Sequence, residues 1–334
     1  MTRQTRNRPA TRPPRRRIEA PRPVAPPVPM TGPWLEEPFT VYLAAEGCER
    51  DLRHELGGDS TTVFERLLAA PGPPRPAAWA ANIWMEPRPL KIASIGDAVK
   101  QLKAVQRNWA LLPVAHHRRA TLIEEQLPKV SAKPLVFGEP APTAPLGSWT
   151  LLAPDLVLAS PRCSSPFRHG EAAFVEDKTG PPNRAYLKLW EVFTLLGVAP
   201  ARGQTCLDLG ASPGGWTWVL QGLGANVIAV DKAPLEPAIA ALPGVTIRQQ
   251  SAFALEPDDV GPIDWLLSDV ICYPERLLRL VRRWLDAGFS GRCVCTIKFQ
   301  AETDFNAIAA FAALPGSRLM HLSNNKHELT WVRL

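Results

Sequence analysis

The stretch Thr205-Cys-Leu-Asp-Leu-Gly-Ala-Ser-Pro-Gly-Gly-Trp216 constrains this chain more than any other. Cys206 to Leu209 predict a short buried strand, and Gly210, Gly214 and Gly215 follow where the chain must turn sharply and let a ligand approach its backbone. A helix is expected to open after Pro213, and the free N–H groups at such a start favour an anionic or carboxylate-bearing ligand. Asp231 ends the next apolar run, Asn226-Val-Ile-Ala-Val-Asp231, 23 residues after Asp208, about where a nucleotide-binding unit keeps the carboxylate that holds ribose hydroxyls. The glycine spacing is Gly-x-x-x-Gly-Gly and not the Gly-x-Gly-x-x-Gly of a pyrophosphate cradle, so a nucleoside cofactor is expected and a dinucleotide is not.

A length of 334 residues leaves room for two domains. No apolar run approaches the length of a membrane span, and a soluble protein is expected. The six cysteines show no Cys-x-x-Cys and no grouping with the six histidines, which argues against a zinc site or a disulfide framework and for a reducing, cytoplasmic setting. The net charge of +6 is local: residues 1–22 hold eight arginines and one glutamate, so the rest of the chain sums to −1. Any grip on nucleic acid by the folded body then needs a local patch.

Residues 1–38, rich in Arg and Pro, are expected to be a disordered tail, either an electrostatic tether for nucleic acid or a solvated leader. Residues 39–160 predict a small α+β accessory domain. In it Phe39–Ala45 reads as a strand, Gly47–Gly57 as a short helix, 95–111 and 114–127 as helical stretches, and Trp149–Ser160 as strands turning at Pro154-Asp155. The basic cluster His116-His117-Arg118-Arg119 reads as a solvated helix face before it reads as a phosphate contact. Residues 161–334 predict a doubly wound α/β domain: a helix over 184–196, then strands near 205–209, 226–231, 245–249, 264–269, 292–298, 317–322 and 327–333. The last two lie so close that they predict an antiparallel hairpin through Ser323-Asn-Asn-Lys326.

Asp208-Leu-Gly-Ala-Ser-Pro-Gly-Gly-Trp216 resembles the S-adenosylmethionine loop of FtsJ-type ribose 2'-O-methyltransferases. Four positions extend the resemblance to that family's Lys-Asp-Lys-Glu tetrad: Lys188 in Arg184-Ala-Tyr-Leu-Lys188-Leu-Trp-Glu191, Asp269 ending Trp265-Leu-Leu-Ser-Asp269, Lys298 ending Cys293-Val-Cys-Thr-Ile-Lys298, and Glu328 after His327. With Ser164-Ser-Pro-Phe167 and Pro182-Asn-Arg184, residues from about 160 to 334 are most similar to the RlmM family, which methylates a ribose 2'-oxygen of 23S ribosomal RNA. The resemblance implies a Rossmann-like class I methyltransferase fold with a seven-stranded, mostly parallel sheet, S-adenosylmethionine as cofactor, RNA as partner, no metal, and a monomer.

It also implies cofactor contacts from Asp208, Gly210, Ser212, Pro213, Gly214, Gly215, Trp216, Asp231, Ser251 and Asp269, with Ser251 standing where such enzymes often have an aspartate for the adenine amino group. Lys298 is the expected general base, Asp269 its orienting partner, and Lys188 with Glu328 the pair that aligns the ribose. A neighbouring lysine and the cofactor's own positive charge would ease loss of a lysine proton. That family places a THUMP RNA-binding module ahead of the catalytic domain, for which about 110 residues are available here. A methyltransferase of another RNA, a protein or a small molecule, and a catalytically silent RNA-binding relative, are the alternatives.

Overall fold

The computed structural model describes residues 38–58, 60–131 and 133–334. The expected disordered tail of residues 1–38 lies, all but Pro38, outside them. Two four-stranded sheets precede one seven-stranded sheet.

The first sheet is antiparallel throughout, in the order β2-β3-β1-β4, from β1 (Phe39–Ala44), β2 (Thr61–Phe64), β3 (Leu67–Pro71) and β4 (Ala80–Trp84), with α1 (Glu49–Leu56) after β1. Gly57 closes α1 at φ +88 and returns its N–H to Arg53 and His54 carbonyls, as a terminating glycine does.

The second sheet runs β5-β8-β7-β6, from β5 (Arg88–Lys91), β6 (Trp109–Leu111), β7 (Gly147–Ala153) and β8 (Leu156–Ser160), backed by α2 (Ile95–Val105) and α3 (His117–Glu124). The expected helix over 95–111 stops at Val105. Gln106 swings to φ −160, the Trp109 indole caps the Leu102 carbonyl at 3.0 Å, and Trp109–Leu111 pairs in parallel with Gly147–Trp149. A helical period cannot reveal a strand whose partner lies 38 residues away. The α+β region is thus built of two sheets, a subdivision with no visible sequence boundary. Val41, Leu43 and Trp84 of the first meet Leu152 and Leu158 of the second in a shared core.

The seven-stranded sheet has the order β11-β10-β9-β12-β13-β15-β14. Its strands are β9 (Thr205–Leu209), β10 (Asn226–Asp231), β11 (Val245–Gln249), β12 (Trp265–Ser268), β13 (Arg292–Lys298), β14 (Ser317–Met320) and β15 (Glu328–Arg333), with β15 antiparallel to both neighbours. This is the fold the sequence predicts, hairpin included. β9 and β12 are buried on both faces, and this explains their nearly continuous apolar runs. Helices α4 (Tyr186–Leu196) and α5 (Gly215–Gly222) pack on one face, α7 (Pro274–Asp286) and α8 (Phe305–Ala312) on the other, while the short α6 (Pro237–Ala240) follows β10. From β9 the chain winds outward through β10 and β11, then returns to β12 on the other side of β9. The crevice at the C-terminal ends of β9 and β12 is therefore the switch point where such sheets hold ligands. The first sheet is not remote from it: Trp79 lies 5.6 Å from Phe299 and His54 stacks on Phe305 at 3.8 Å, centroid to centroid.

Candidate active site

Four elements bring one charged side chain each to that crevice. Lys188 comes from α4, Asp269 directly follows β12, Lys298 ends β13, and Glu328 opens β15 opposite Lys298 in the antiparallel register. Lys188 Nζ lies 2.6 Å from Glu328 Oε1 and 3.2 Å from Asp269 Oδ1, and Lys298 Nζ lies 3.0 Å from the same Asp269 oxygen. Lys298 Nζ also donates to the Asp269 backbone carbonyl at 2.6 Å. Two ammonium and two carboxylate groups thus form one connected cluster with no net charge.

Lys188 is buried, and burial works to lower its pKa, yet Asp269 and Glu328 outweigh it and hold the pKa above the ordinary lysine value. Lys188 is therefore a fixed positive charge.

One turn beyond Lys188, the buried Glu191 accepts hydrogen bonds from the Ser323 N–H (2.8 Å) and hydroxyl (2.8 Å). Burial pushes its carboxyl up to about 7. The helix that delivers Lys188 thereby also grips the β14–β15 turn that delivers Glu328. On the other side, the Thr303 hydroxyl donates to Asp51 of α1 at 2.5 Å and lies 2.8 Å from His327 Nε2. His327 precedes Glu328 and packs against Trp79 and Phe299, so the first sheet reaches the residues adjoining both Lys298 and Glu328. The sequence singles out none of Glu191, Thr303, His327 and Asp51 for a role. Glu191 could have been suspected as a carboxylate one turn from Lys188 in an otherwise apolar helix; Asp51 and Thr303 are 252 residues apart, and no local pattern joins them.

The cofactor loop sits where expected, but several of its residues serve the fold. Trp216 is buried among the apolar side chains of α4 and α5, with its indole N–H on the Ala185 carbonyl at 3.0 Å, so its side chain does not face the crevice. A Cβ on Gly214, which has φ +118, would stand 2.7 Å from Ile239; one on Gly210 would stand 2.7 Å from the Val270 backbone; one on Gly215 would strike Asn183. The missing side chain at each of these glycines makes room for neighbouring protein. The Ser212 hydroxyl donates to the Pro234 carbonyl at 2.9 Å, and Pro213 accepts through its carbonyl from Glu236. Asp231 receives N–H groups of Ser212 (3.1 Å) and Ala233 (3.0 Å), while Ser251 caps a short turn through the Phe253 N–H (3.3 Å).

Asp208 is the residue least explained by the fold. Its Oδ2 accepts from Thr217 at 2.7 Å, but Oδ1 is buried with no hydrogen-bond partner among the described residues. Burial, with the charges of Asp269 and Asp231 adding to it, pushes its carboxyl up to about 7 against the pull of the Thr217 hydroxyl. Asp208 is therefore a carboxyl whose ionisation is opposed by burial first and by two neighbouring acids besides, an arrangement that a cationic ligand relieves. S-adenosylmethionine, with a sulfonium and an ammonium, fits it; its carboxylate suits the N–H groups at the start of α5.

No cysteine of the described residues is in a disulfide, and burial pushes the Cys272 thiol, near Lys298, above its ordinary pKa. No three His, Cys, Asp or Glu side chains among the described residues gather as a metal site requires, and no described helix is long and apolar enough to cross a membrane.

Residues 181–306 match the FtsJ-like methyltransferase family. The ribosomal RNA large subunit methyltransferase M of Alkalilimnicola ehrlichii is 35% identical over 162 residues, covering 45% of this chain and 44% of that protein. Its namesake from Halorhodospira halophila is 38% identical over 120 residues, covering 35% of each chain. The chain thus spans less than half the length of these relatives. Among solved structures, TrmN from Thermus thermophilus covers 88% of this chain and 98% of its own at 14% identity and a TM-score of 0.37, a likeness too slight to bear on function. S-adenosylmethionine is the cofactor of an FtsJ-like domain. The chain carries an FtsJ-like methyltransferase domain at residues 181–306.

Proposed function

We propose that this chain methylates a ribose 2'-oxygen of large-subunit (23S) ribosomal RNA in the cytoplasm, with residues 161–334 as catalytic domain and residues 39–160 as RNA-binding module. The connected cluster of Lys188, Asp269, Lys298 and Glu328 at the switch point carries the reading. All four come from one chain, so a monomer suffices.

Bound S-adenosylmethionine supplies a methyl group already activated on a sulfonium, and the chain must position a hydroxyl and remove its proton. Lys298 is suited to the second task. A neutral amine has two N–H bonds and one lone pair, and both hydrogens of Lys298 have acceptors on Asp269, the carbonyl at 2.6 Å and Oδ1 at 3.0 Å. Its lone pair is left to accept the ribose proton. Lys188, kept charged by two carboxylates, has one further N–H to offer a ribose oxygen, and Glu328 fixes Lys188. Asp208 and Asp231 hold the cationic cofactor electrostatically, with Ser212, Pro213, Gly214 and Gly215 shaping the loop and Ser251 beside it. Mapping 2'-O-methyl groups on ribosomal RNA from cells with and without the gene tests the proposal. A site that disappears with the gene and returns with the wild-type chain but not with Lys298→Ala supports it; an unchanged map refutes it.

A further inference from the structure

The loop that begins at Asp269 exposes two large apolar side chains that the reaction does not explain. Ile271 is 78% exposed and Tyr273 65%, the highest values among the large hydrophobic residues described. This exposure is built in. Cys272 and Pro274 are buried between and after them, so the backbone alternates inward and outward and holds both side chains away from the body. The Tyr273 ring makes no contact with another aromatic ring among the described residues. Directly beyond it, α7 turns an exposed face carrying Arg276 and Arg279 one turn apart. Arg276 lies 3.8 Å over the Phe253 ring, and neither arginine has a carboxylate partner among the described ion pairs, unlike Arg283, which Glu256 holds at 2.7 Å. Glu275 is the one acidic residue in the first turn of the helix.

We propose that Ile271, Tyr273, Arg276 and Arg279 are the landing surface for the RNA strand beside the methylated nucleotide, with Tyr273 stacking on an unpaired base and the arginines holding phosphates. The inference rests on the ribose methyltransferase reading and adds the surface and the form of RNA. A polyanion answers two guanidinium groups that no carboxylate pairs, and an aromatic ring offered to solvent answers a base. The base must be unpaired, since in a duplex both of its faces are already stacked. A surface that starts at the residue orienting the general base is also where the chain flanking the target must pass.

The test is fluorescence anisotropy of the full chain with a labelled single-stranded oligouridylate, across a salt series, beside calorimetry with S-adenosylmethionine. Both side chains are exposed, and unchanged melting curves would show that the variants fold. Tyr273→Ala should weaken RNA binding roughly 5- to 100-fold, while Tyr273→Phe stays near wild type, as stacking requires. Arg276→Gln with Arg279→Gln should flatten the slope of log affinity against log salt by roughly 0.7 per arginine removed. A duplex of equal length should compete poorly. Unchanged RNA affinity in Tyr273→Ala would overturn the inference, as for a surface that serves a protein partner; so would an equal loss in Tyr273→Phe, or a loss of S-adenosylmethionine binding alone, which would make the loop a cover for the cofactor. These failures differ from failure of the parent reading. Wild type that methylates RNA while all variants bind normally refutes only the landing surface, whereas wild type that binds cofactor but never methylates RNA refutes the parent.

Discussion

Asp208→Asn should make the protein more stable at alkaline pH and worse at binding its cofactor. Asp208 is 1% exposed, and burial, followed by Asp269 and Asp231, raises its carboxyl from 3.8 to about 7. The folded state thus keeps this proton over a range where the unfolded chain has already lost it. Stability from this group is complete below about pH 4, declines as pH rises through the folded value, and is fully lost above about pH 8. At about 1.4 kcal/mol per unit, a three-unit gap amounts to about 4 kcal/mol lost above the upper value, but only about 1–2 kcal/mol near pH 5. The asparagine never ionises. Its carbonyl can still accept from Thr217, but its NH2 takes the place of an oxygen that has no partner, a buried unsatisfied donor costing about 1–3 kcal/mol. Urea unfolding should therefore show the variant ahead by about 1–3 kcal/mol near pH 8.5 and level or behind near pH 5. Glu191 titrates in the same window but is present in both proteins, so it cancels.

Calorimetry supplies the other half of the test. Asp208 feels charges at the crevice, as the contributions of Asp269 and Asp231 show, so a bound sulfonium should help it ionise and release part of a proton near neutral pH. Binding heats in buffers of different ionisation enthalpy would count that proton, and Asp208→Asn should abolish the release while weakening affinity. A variant equally destabilised at both pH values, with S-adenosylmethionine affinity intact, would refute the reasoning and leave Asp208 a structural residue.

Lys298→Ala should lower single-turnover methyl transfer by roughly 10²- to 10⁴-fold with cofactor affinity near wild type, and Lys298→Arg should not rescue it, because a guanidinium cannot accept the proton. An active arginine variant removes Lys298 as base. Thr303→Val deletes both hydrogen bonds of the Asp51–Thr303–His327 junction at constant shape, and should lower kcat for RNA with little change in the KM for cofactor, while Thr303→Ser restores it. Equal kcat in valine and serine variants would show that the junction does not position Glu328. Gly214→Ala should destabilise by about 1–3 kcal/mol, from positive φ and a contact with Ile239; normal thermal stability with lost cofactor affinity would instead return the glycine to a ligand-facing role.

The catalytic half was legible because its signals are local. A buried parallel strand is a run of apolar residues, and a helix that starts behind glycines declares its own boundary, so β9, β10 and β13 fall where the sequence predicts them. The N-terminal half was legible only in part: β1, α1, β7 and β8 fall where the sequence predicts them, but β2 to β6 are short and their partners distant. β2 to β5 have little alternation to show, and Trp109–Leu111 continues an apolar pattern that looks helical until Gly147–Trp149 pairs with it. Residue identity there is compatible with either state, and tertiary pairing decides.

The site divides along the same line. Asp269 and Lys298 were legible through the family tetrad they resemble, since a charge at a strand end is by itself usually only solvated. Glycines are ambiguous in another way: a missing Cβ makes room, and the sequence cannot say for what. At Gly210 and Gly214 the room is taken by Val270 and Ile239, so the loop's tight shape is imposed from within the protein before any cofactor arrives. Asp208, read from sequence as one member of a motif, is in the structure a carboxylate kept where burial and two neighbouring acids oppose its ionisation, and packing alone does not account for it. A loop held rigid by packing, beside a buried carboxyl whose ionisation a cation favours, is preorganised for S-adenosylmethionine, and the opposition to that charge returns as the neutral thioether product forms.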